Sequence, residues 1–348
     1  MRLSDFDYEL PERAIATVGA EPRDSARLLV DGDPPRHLHV HDLPSLLGPG
    51  DVVVLNDTRV LPARVRFTRP SGGSAEVLLL EDAGEGWWQA LVRPSAKLPP
   101  GTTVAVADGF EVELGEDLGE GRRLVRPHAA GGVLLGDDLI AALEEHGEMP
   151  LPPYLGSSRL ADPERYQTVY ALRPASAAAP TAGLHLTPAV LDAIRGRGAT
   201  VSRVELVVGL GTFRPIVVEQ IDEHVMHHEH YRIEPAAWEV IRSARRVVAI
   251  GTTSVRALES AAVSGELSGR TDLFIRRPYA WQVVDVLMTN FHLPKSSLLV
   301  MIDAFIGPRW RDLYELAMDE GYRFLSFGDA MFLERAVSLD PAPLPDRS

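Results

Sequence analysis

At 348 residues, with 45% apolar and 24% charged side chains, the chain has room for two globular domains, or for one large domain carrying an insertion. It has no cysteine, which excludes disulfides, thiolate metal sites and a cysteine nucleophile. Its net charge of −14 argues against a surface that binds nucleic acid everywhere, though a local basic face remains open.

The first fifty residues hold Pro and Asp turns and little regular periodicity. DVVVL at 51–55 reads as a buried strand, stopped by Asn56-Asp57-Thr58. From Arg64 to Val133, short β-branched runs (VRF, AEVLLL, WWQALV, TTVAVA, FEVEL, RRLVRP) alternate with Gly and Asp-Gly turns. That spacing suggests a small antiparallel barrel or sandwich. A short helix is predicted over 139–146, and Pro150, Pro152 and Pro153 then mark a domain crossing. Thr187-Pro188 opens a helix that Gly196 or Gly198 ends. Strands are predicted over 201–208, 247–250 and 273–275, and helices over 235–245, 254–263, 297–306 and 310–319. This alternation implies an α/β sheet, with the β-rich segment inserted into it or lying beside it. The longest apolar run, near 298–306, is broken by Asp303 and is too short to span a membrane. No signal-like segment is seen, so a soluble cytoplasmic protein is expected.

Several segments carry residues suited to chemistry. In TNFHLPKSSLLVMIDAFIG (289–307), Asn290, His292 and Lys295 precede a helix capped by Ser296 or Ser297, where backbone donors and the helix dipole favour anions. AAPTAGLH (178–185) offers Thr181 and His185 among small residues, or is a plain loop. VGLGTF (208–213) follows a strand, so Gly209 and Gly211 let the backbone come close to a ligand, or mark a tight turn. It lacks the third glycine of a dinucleotide fingerprint. HVMHHEHY (224–231) gathers four histidines and Glu229. It reads as a metal site built on His224 and His227, as a metal-free acid–base cluster, or as a solvated turn. His227 and Glu229 are its candidates. AIGTTSVR (249–256) ends a strand and starts a helix, so Thr252, Thr253 and Arg256 form a plausible anion cradle, or simple N-capping, with Glu259 at helical spacing from Arg256. Arg59, Arg64, Arg66 and Arg69 form a basic run that fits phosphate contacts or a solvated strand face.

Taken together, LSDFDYELPERAIA, VVVLNDTRVLPARV, PLPPY, ERYQTVYA, AAPTAGLH, VGLGTFRP, HVMHHE, AIGTTSVRALES, TDLFI, TNFHLPKSSLLVMIDAFIG and YRFLSFGDAM closely resemble the S-adenosylmethionine:tRNA ribosyltransferase-isomerase family of the queuosine pathway, in order, over residues 3–331. The resemblance implies a large mixed-sheet α/β domain (1–62 and 150–348) with an inserted small antiparallel β-barrel domain (63–149). It also implies a transferase that moves and isomerises the ribosyl part of S-adenosylmethionine onto 7-aminomethyl-7-deazaguanine at the tRNA wobble position. Epoxyqueuosine is formed, and adenine and methionine leave. S-adenosylmethionine is then a co-substrate, no metal or other cofactor is expected, tRNA is the partner, and a monomer is expected.

The sulfonium acidifies its neighbouring C–H, so His185, His227, Glu229 and His292 are the candidates for acid–base work. Thr181 and Asn290 would hold ribose or adenine. Gly209, Gly211, Thr252, Thr253, Arg256 and Lys295 would bind the remainder of the substrates. The chain departs from the family pattern at Leu186, Val207, His228, Arg277-Pro278 and Phe327, and Val207 stands where a histidine is usual. The alternative is a paralogue of the same fold that uses S-adenosylmethionine with a small-molecule acceptor.

Overall fold

The computed structural model describes residues 1–69, 71–95, 98–155, 162–209 and 215–336. The chain forms two compact units, one from Met1–Thr58, Glu164–Leu172 and Ala179 onward, the other from Arg59–Pro163 and Arg173–Ala178. The first unit opens with β1 (Arg27–Val30), β2 (Arg36–His39) and β3 (Asp51–Asn56). The second holds β4 (Arg59–Val60), β5 (Arg64–Thr68), β6 (Ser74–Gly84), β7 (Trp87–Arg93), β8 (Thr103–Ala107), β9 (Phe110–Gly119), β10 (Arg122–Ala129), β11 (Gly132–Val133), α1 (Gly136–His146) and β12 (Pro174–Ser176). The first then resumes with α2 (Pro188–Gly196), β13 (Thr200–Leu206), β14 (Glu229–Arg232), α3 (Pro235–Arg242), β15 (Arg246–Ile250), α4 (Thr252–Ser264), β16 (Ser268–Thr271), β17 (Val286–Asn290), α5 (Ser297–Ile306), α6 (Trp310–Asp319) and β18 (Ala330–Glu334). Among the described residues no helix is long and apolar enough to cross a membrane.

In the second unit the strands run in the order β5-β6-β7-β10-β9-β8, all antiparallel, with β11 added to β10. The end strands β5 and β8 lie against each other, so the sheet is nearly closed into a barrel. Alternate residues fill its interior, among them Val65, Phe67, Val77, Leu79, Ala90, Val92, Val112, Leu114 and Val125. The hairpins β6–β7 and β9–β10 turn through Glu85-Gly86 and Glu120-Gly121, with φ of 54° and 80°, and 54° and 79°. Positive φ at both residues is the turn whose twist matches paired strands. The basic run is a strand face matched by acids, because Arg64 lies 3.9 Å from Glu76 and Arg66 3.0 Å from Glu148.

In the first unit nine strands form one mixed sheet, ordered β16-β14-β13-β3-β15-β17-β18-β1-β2. The four at its centre, β13, β3, β15 and β17, are parallel. β3 is buried along its whole length, as a central parallel strand covered on both faces must be. Val53, Leu55, Val248, Ile250, Val286 and Met288 share a core with Val190, Leu191 and Ile194 of α2. The alternate residues Val52, Val54, Val247, Ala249 and Leu287 are equally buried, and α4 runs against β3, β13, β15 and β17. Thr187 caps α2 by accepting from Val190 N (3.3 Å), and Ser296 caps α5 by accepting from Leu299 N (3.2 Å).

Two local expectations are corrected. The strand expected at 273–275 is loop, and the strand lies instead at Ser268–Thr271. The Thr271 hydroxyl accepts from Leu273 N at 3.1 Å and bends the chain away, while Ile275 is buried as an apolar anchor. Glu259 does not support Arg256. It is fully buried, its Oε2 accepting from Gln282 N (2.9 Å) and the Tyr279 hydroxyl (3.1 Å), its Oε1 from Val283 N and Val284 N (3.0 Å each). Burial raises its pKa, while these four donors act to lower it.

Glu259→Gln turns one acceptor oxygen into an NH2 group facing N–H or O–H donors. It is expected to destabilise the protein by about 2–3 kcal/mol, the cost of leaving buried donors unpaired. Urea unfolding measures this, and a midpoint equal to wild type would contradict the clamp.

Candidate active site

The carboxyl ends of the central parallel strands are where open α/β sheets present ligand sites. Here the chain leaves β15 through Gly251 and enters α4, while β17 ends in Thr289 and Asn290. Gly251 has φ of 86°, a conformation L side chains rarely adopt, and this lets the strand turn directly into the helix. Around these ends lies a cavity of about 340 Å³, lined by 179–182, Val208, 251–253, Thr289, Asn290, His292 and Leu298. The first turn of α4 directs its backbone N–H groups beyond the helix's own ladder. Thr253 Oγ1 is buried there without a hydrogen-bond partner, a free hydroxyl for a bound group.

Asn290 organises the far wall. The Thr181 hydroxyl donates to its Oδ1 (3.0 Å), and its Nδ2 donates to His185 Nε2 (2.8 Å) and Asp329 O (3.4 Å). An amide NH2 can only donate, so His185 accepts at Nε2 and carries its proton on Nδ1. Burial, followed by the charges of Arg323, Arg165 and Arg23, pushes the pKa of His185 down to about 4. His185 does not line this cavity; it stands behind Asn290.

His292 does line it. Burial lowers its pKa to about 3. Its Nε2 lies 2.9 Å from Thr289 Oγ1, its backbone N donates to the Tyr314 hydroxyl (3.0 Å), and the Tyr8 hydroxyl donates to its carbonyl. Tyr8 and Tyr314 meet edge-on with ring centroids 5.2 Å apart, and Phe291 and Phe324 pack against Tyr314. The backbone of His292 is therefore held from two sides. Its imidazole is neutral at the cavity wall, and the burial that keeps it so also makes it a weaker base than a free histidine.

The other candidates fall elsewhere. Glu229 and Arg256 form a buried ion pair, with Glu229 Oε1 also accepting from Gly209 N (3.2 Å) and Arg256 Nη2 donating to Thr271 O (3.4 Å). A carboxylate so engaged is suited to orienting its neighbours. His227 sits in the exposed segment 224–228, which is not helical, so His224 and His227 share no helix face. His224 instead meets the Phe274 ring edge-on. Among the described residues, the group of metal-ligating side chains brought together is His39, His41 and Asp42, at the surface. Lys295, half exposed with φ of 57°, pairs with Asp7 at 2.6 Å and does not line the cavity. Gly211 lies outside the described residues. Val207 pairs its N with His230 O (2.8 Å), and its neighbour Val208 meets the cavity instead. Sequence reasoning passed over Thr289, Tyr8 and Tyr314. Thr289 opens the 289–307 motif, but the tyrosines lie far from His292 along the chain and no local pattern ties them to it.

Residues 3–333 match the family described as queuosine biosynthesis protein. The chain is 49% identical to an S-adenosylmethionine:tRNA ribosyltransferase-isomerase of Rubrobacter xylanophilus, covering 96% of this chain and 98% of that one. It is 47% identical to relatives of the same name from Moorella thermoacetica, covering 96% and 100%, and Thermus thermophilus, covering 95% and 99%. It is also similar to the crystal structure of an S-adenosylmethionine tRNA ribosyltransferase from Thermotoga maritima, with 32% identity, a TM-score of 0.52, and 94% and 99% of the two chains covered.

In the folded protein His185 and His292 stay neutral down to about pH 4 and about pH 3, whereas in the unfolded chain both titrate near ~6.5. Between those values the unfolded state binds more protons. Their contribution to stability is therefore complete above about pH 6.5 and is lost as the pH falls toward 4 and 3. His292→Asn is expected to reduce the slope of unfolding free energy against pH by up to about one proton between pH 4 and 6. Urea unfolding across that range reads it, and an unchanged slope would show that His292 is not held neutral.

Proposed function

The chain belongs to the queuosine biosynthesis protein family, and from that premise we propose that it transfers and isomerises the ribosyl part of S-adenosylmethionine onto 7-aminomethyl-7-deazaguanine in the wobble position of a tRNA. Epoxyqueuosine is formed, and adenine and methionine are released. The co-substrate and the RNA acceptor are those named for the relatives. The observation that carries the reading at the site is a neutral imidazole, His292, on the wall of a cavity that also holds a helix N-terminus and an unpartnered threonine hydroxyl.

In this reading the α4 N-terminus, with Thr252 and Thr253, takes the methionine carboxylate. Asn290 and Thr181 hold the ribose or adenine edge. His292 is the first choice to remove the C5′ proton that the adjacent sulfonium acidifies, since it lines the cavity and carries no charge to repel a cation. His185 keeps Asn290 in its orientation, and the Glu229–Arg256 pair holds the backbone at Gly209. S-adenosylmethionine is consumed as a co-substrate, and the scheme calls on no metal or further cofactor.

The test is adenine release from S-adenosylmethionine with tRNA carrying 7-aminomethyl-7-deazaguanine, compared with the free base. Turnover is expected with the modified tRNA. Turnover with the free base alone would sink the proposal in favour of a small-molecule acceptor. His292→Ala is expected to lower kcat by about 10²-fold or more with the fold intact, while His227→Ala stays near wild type.

A further inference from the structure

A second cavity, of about 220 Å³, is lined by Gly19, Ala20, Arg23, Arg165, His185 and Phe327, among others. His185 links it to the first cavity, since its Nε2 accepts from Asn290. The strings ERYQTVYA and YRFLSFGDAM, which the threonine-lined cavity leaves unexplained, supply Arg165 here and the nearby Arg323.

The arginines are held in an unusual way. Arg23 donates to two backbone carbonyls, Gln167 O at 2.6 Å and Glu164 O at 2.7 Å. Arg165 donates to Ala20 O at 2.6 Å, and Arg323 to Val18 O at 3.2 Å. A carbonyl satisfies an N–H group and fixes the guanidinium plane without cancelling its charge. Glu21, 3.4 Å from Arg165, is largely exposed, and such a pair is screened by water. Asp329, 3.8 Å from Arg323, is buried and accepts from the backbone N–H groups of Arg27 (2.8 Å) and Arg323 (2.7 Å), so it offsets part of the Arg323 charge. All three cations act on His185, where they add to burial in disfavouring a further positive charge.

Three oriented, half-exposed guanidinium groups around a cavity suit an oxyanion with several acceptor oxygens, and phosphate fits that fork geometry. The cavity is narrow, so it suits one group of a larger ligand and not a whole small molecule. We infer that the cavity lined by Arg23 and Arg165, with Arg323 beside it, takes a backbone phosphate of the RNA acceptor and docks the strand next to the threonine-lined site. The inference rests on the tRNA reading above. It adds where the strand is held, and it gives a strongly acidic protein a cationic place to meet a polyanion.

The test is tRNA binding by fluorescence anisotropy over a range of salt concentrations, for wild type, Arg165→Gln and Arg323→Gln, with the KM for S-adenosylmethionine measured alongside. Each variant is expected to bind tRNA several-fold more weakly and to lose about one unit from the slope of log Kd against log salt, while the KM for S-adenosylmethionine stays within about twofold of wild type. Wild-type tRNA affinity and slope in both variants would overturn the inference. So would a raised KM for S-adenosylmethionine with tRNA binding intact, which would assign the cavity to the co-substrate carboxylate. If Arg165→Gln does not fold, Arg323→Gln decides, because its lost contacts are to the exposed Val18 carbonyl and to Asp329, which keeps two backbone N–H donors. The two readings fail separately. Arginine-dependent tRNA binding without turnover on modified tRNA removes the activity and leaves the docking site. Turnover with unchanged binding in the variants removes the docking site alone.

Discussion

The parallel pairing of β15 with β17 is the constraint on which the site depends. With Ile250 opposite Met288, the two strands end side by side, and Gly251 N donates to Met288 O at 2.8 Å to close the junction. That register brings Thr252 and Thr253, which begin a helix, next to Thr289 and Asn290, which end a strand. A slip of one residue would turn Asn290 away from Thr181 and His185, because side chains alternate across a sheet. β3 holds the pair from the other side, and its last residue, Asn56, extends the ladder with its side chain by accepting from Leu206 N (3.1 Å) and donating to Leu206 O (3.0 Å). The segment that carries Val208 to the cavity thus leaves β13 from a fixed point.

The groups that line the first cavity are polar but uncharged. Asn290, four threonines and a neutral His292 offer donors and acceptors without a formal charge, and Lys295 is turned away to Asp7. The Arg256 charge is matched by Glu229. For the proposed sulfonium co-substrate this matters, since a cation entering a site of low dielectric would be strongly repelled by an unmatched positive group. The arginines stand on the other side of His185. One buried imidazole therefore separates a site suited to a cation from one suited to an anion.

Much of the fold was legible in the sequence where local pattern and tertiary role agree. DVVVL reads as a buried strand because β3 is central, and Thr187-Pro188 and Ser296 are visible as caps because capping is local chemistry. β1, β2, β17 and β18 were not anticipated. β2, RHLH, is an exposed edge with no apolar period, and VLMTN and AMFLE are short runs buried on both faces, which periodicity cannot separate from helix or loop. At the site, the sequence points to residue types suited to chemistry but does not say which of them meet. Thr181, Thr252, Thr253, Asn290 and His292 converge although more than a hundred positions separate the first from the last. His227 lies two residues from Glu229 and yet remains in solvent, because β14 begins at Glu229 and turns that side chain inward to Arg256.

The Glu259 carboxylate also sets the scale on which the fold opens. It sits in the middle of α4, whose first turn forms one wall of the cavity, and it holds three successive amides of the 282–284 segment that leads into β17. Those amides lie in irregular chain, where exchange with solvent deuterium is ordinarily fast. Bound to a buried carboxylate on a helix, they can exchange only when those bonds break. Their protection therefore reads the contact between the loop before β17 and the helix after β15, which meet at the cavity.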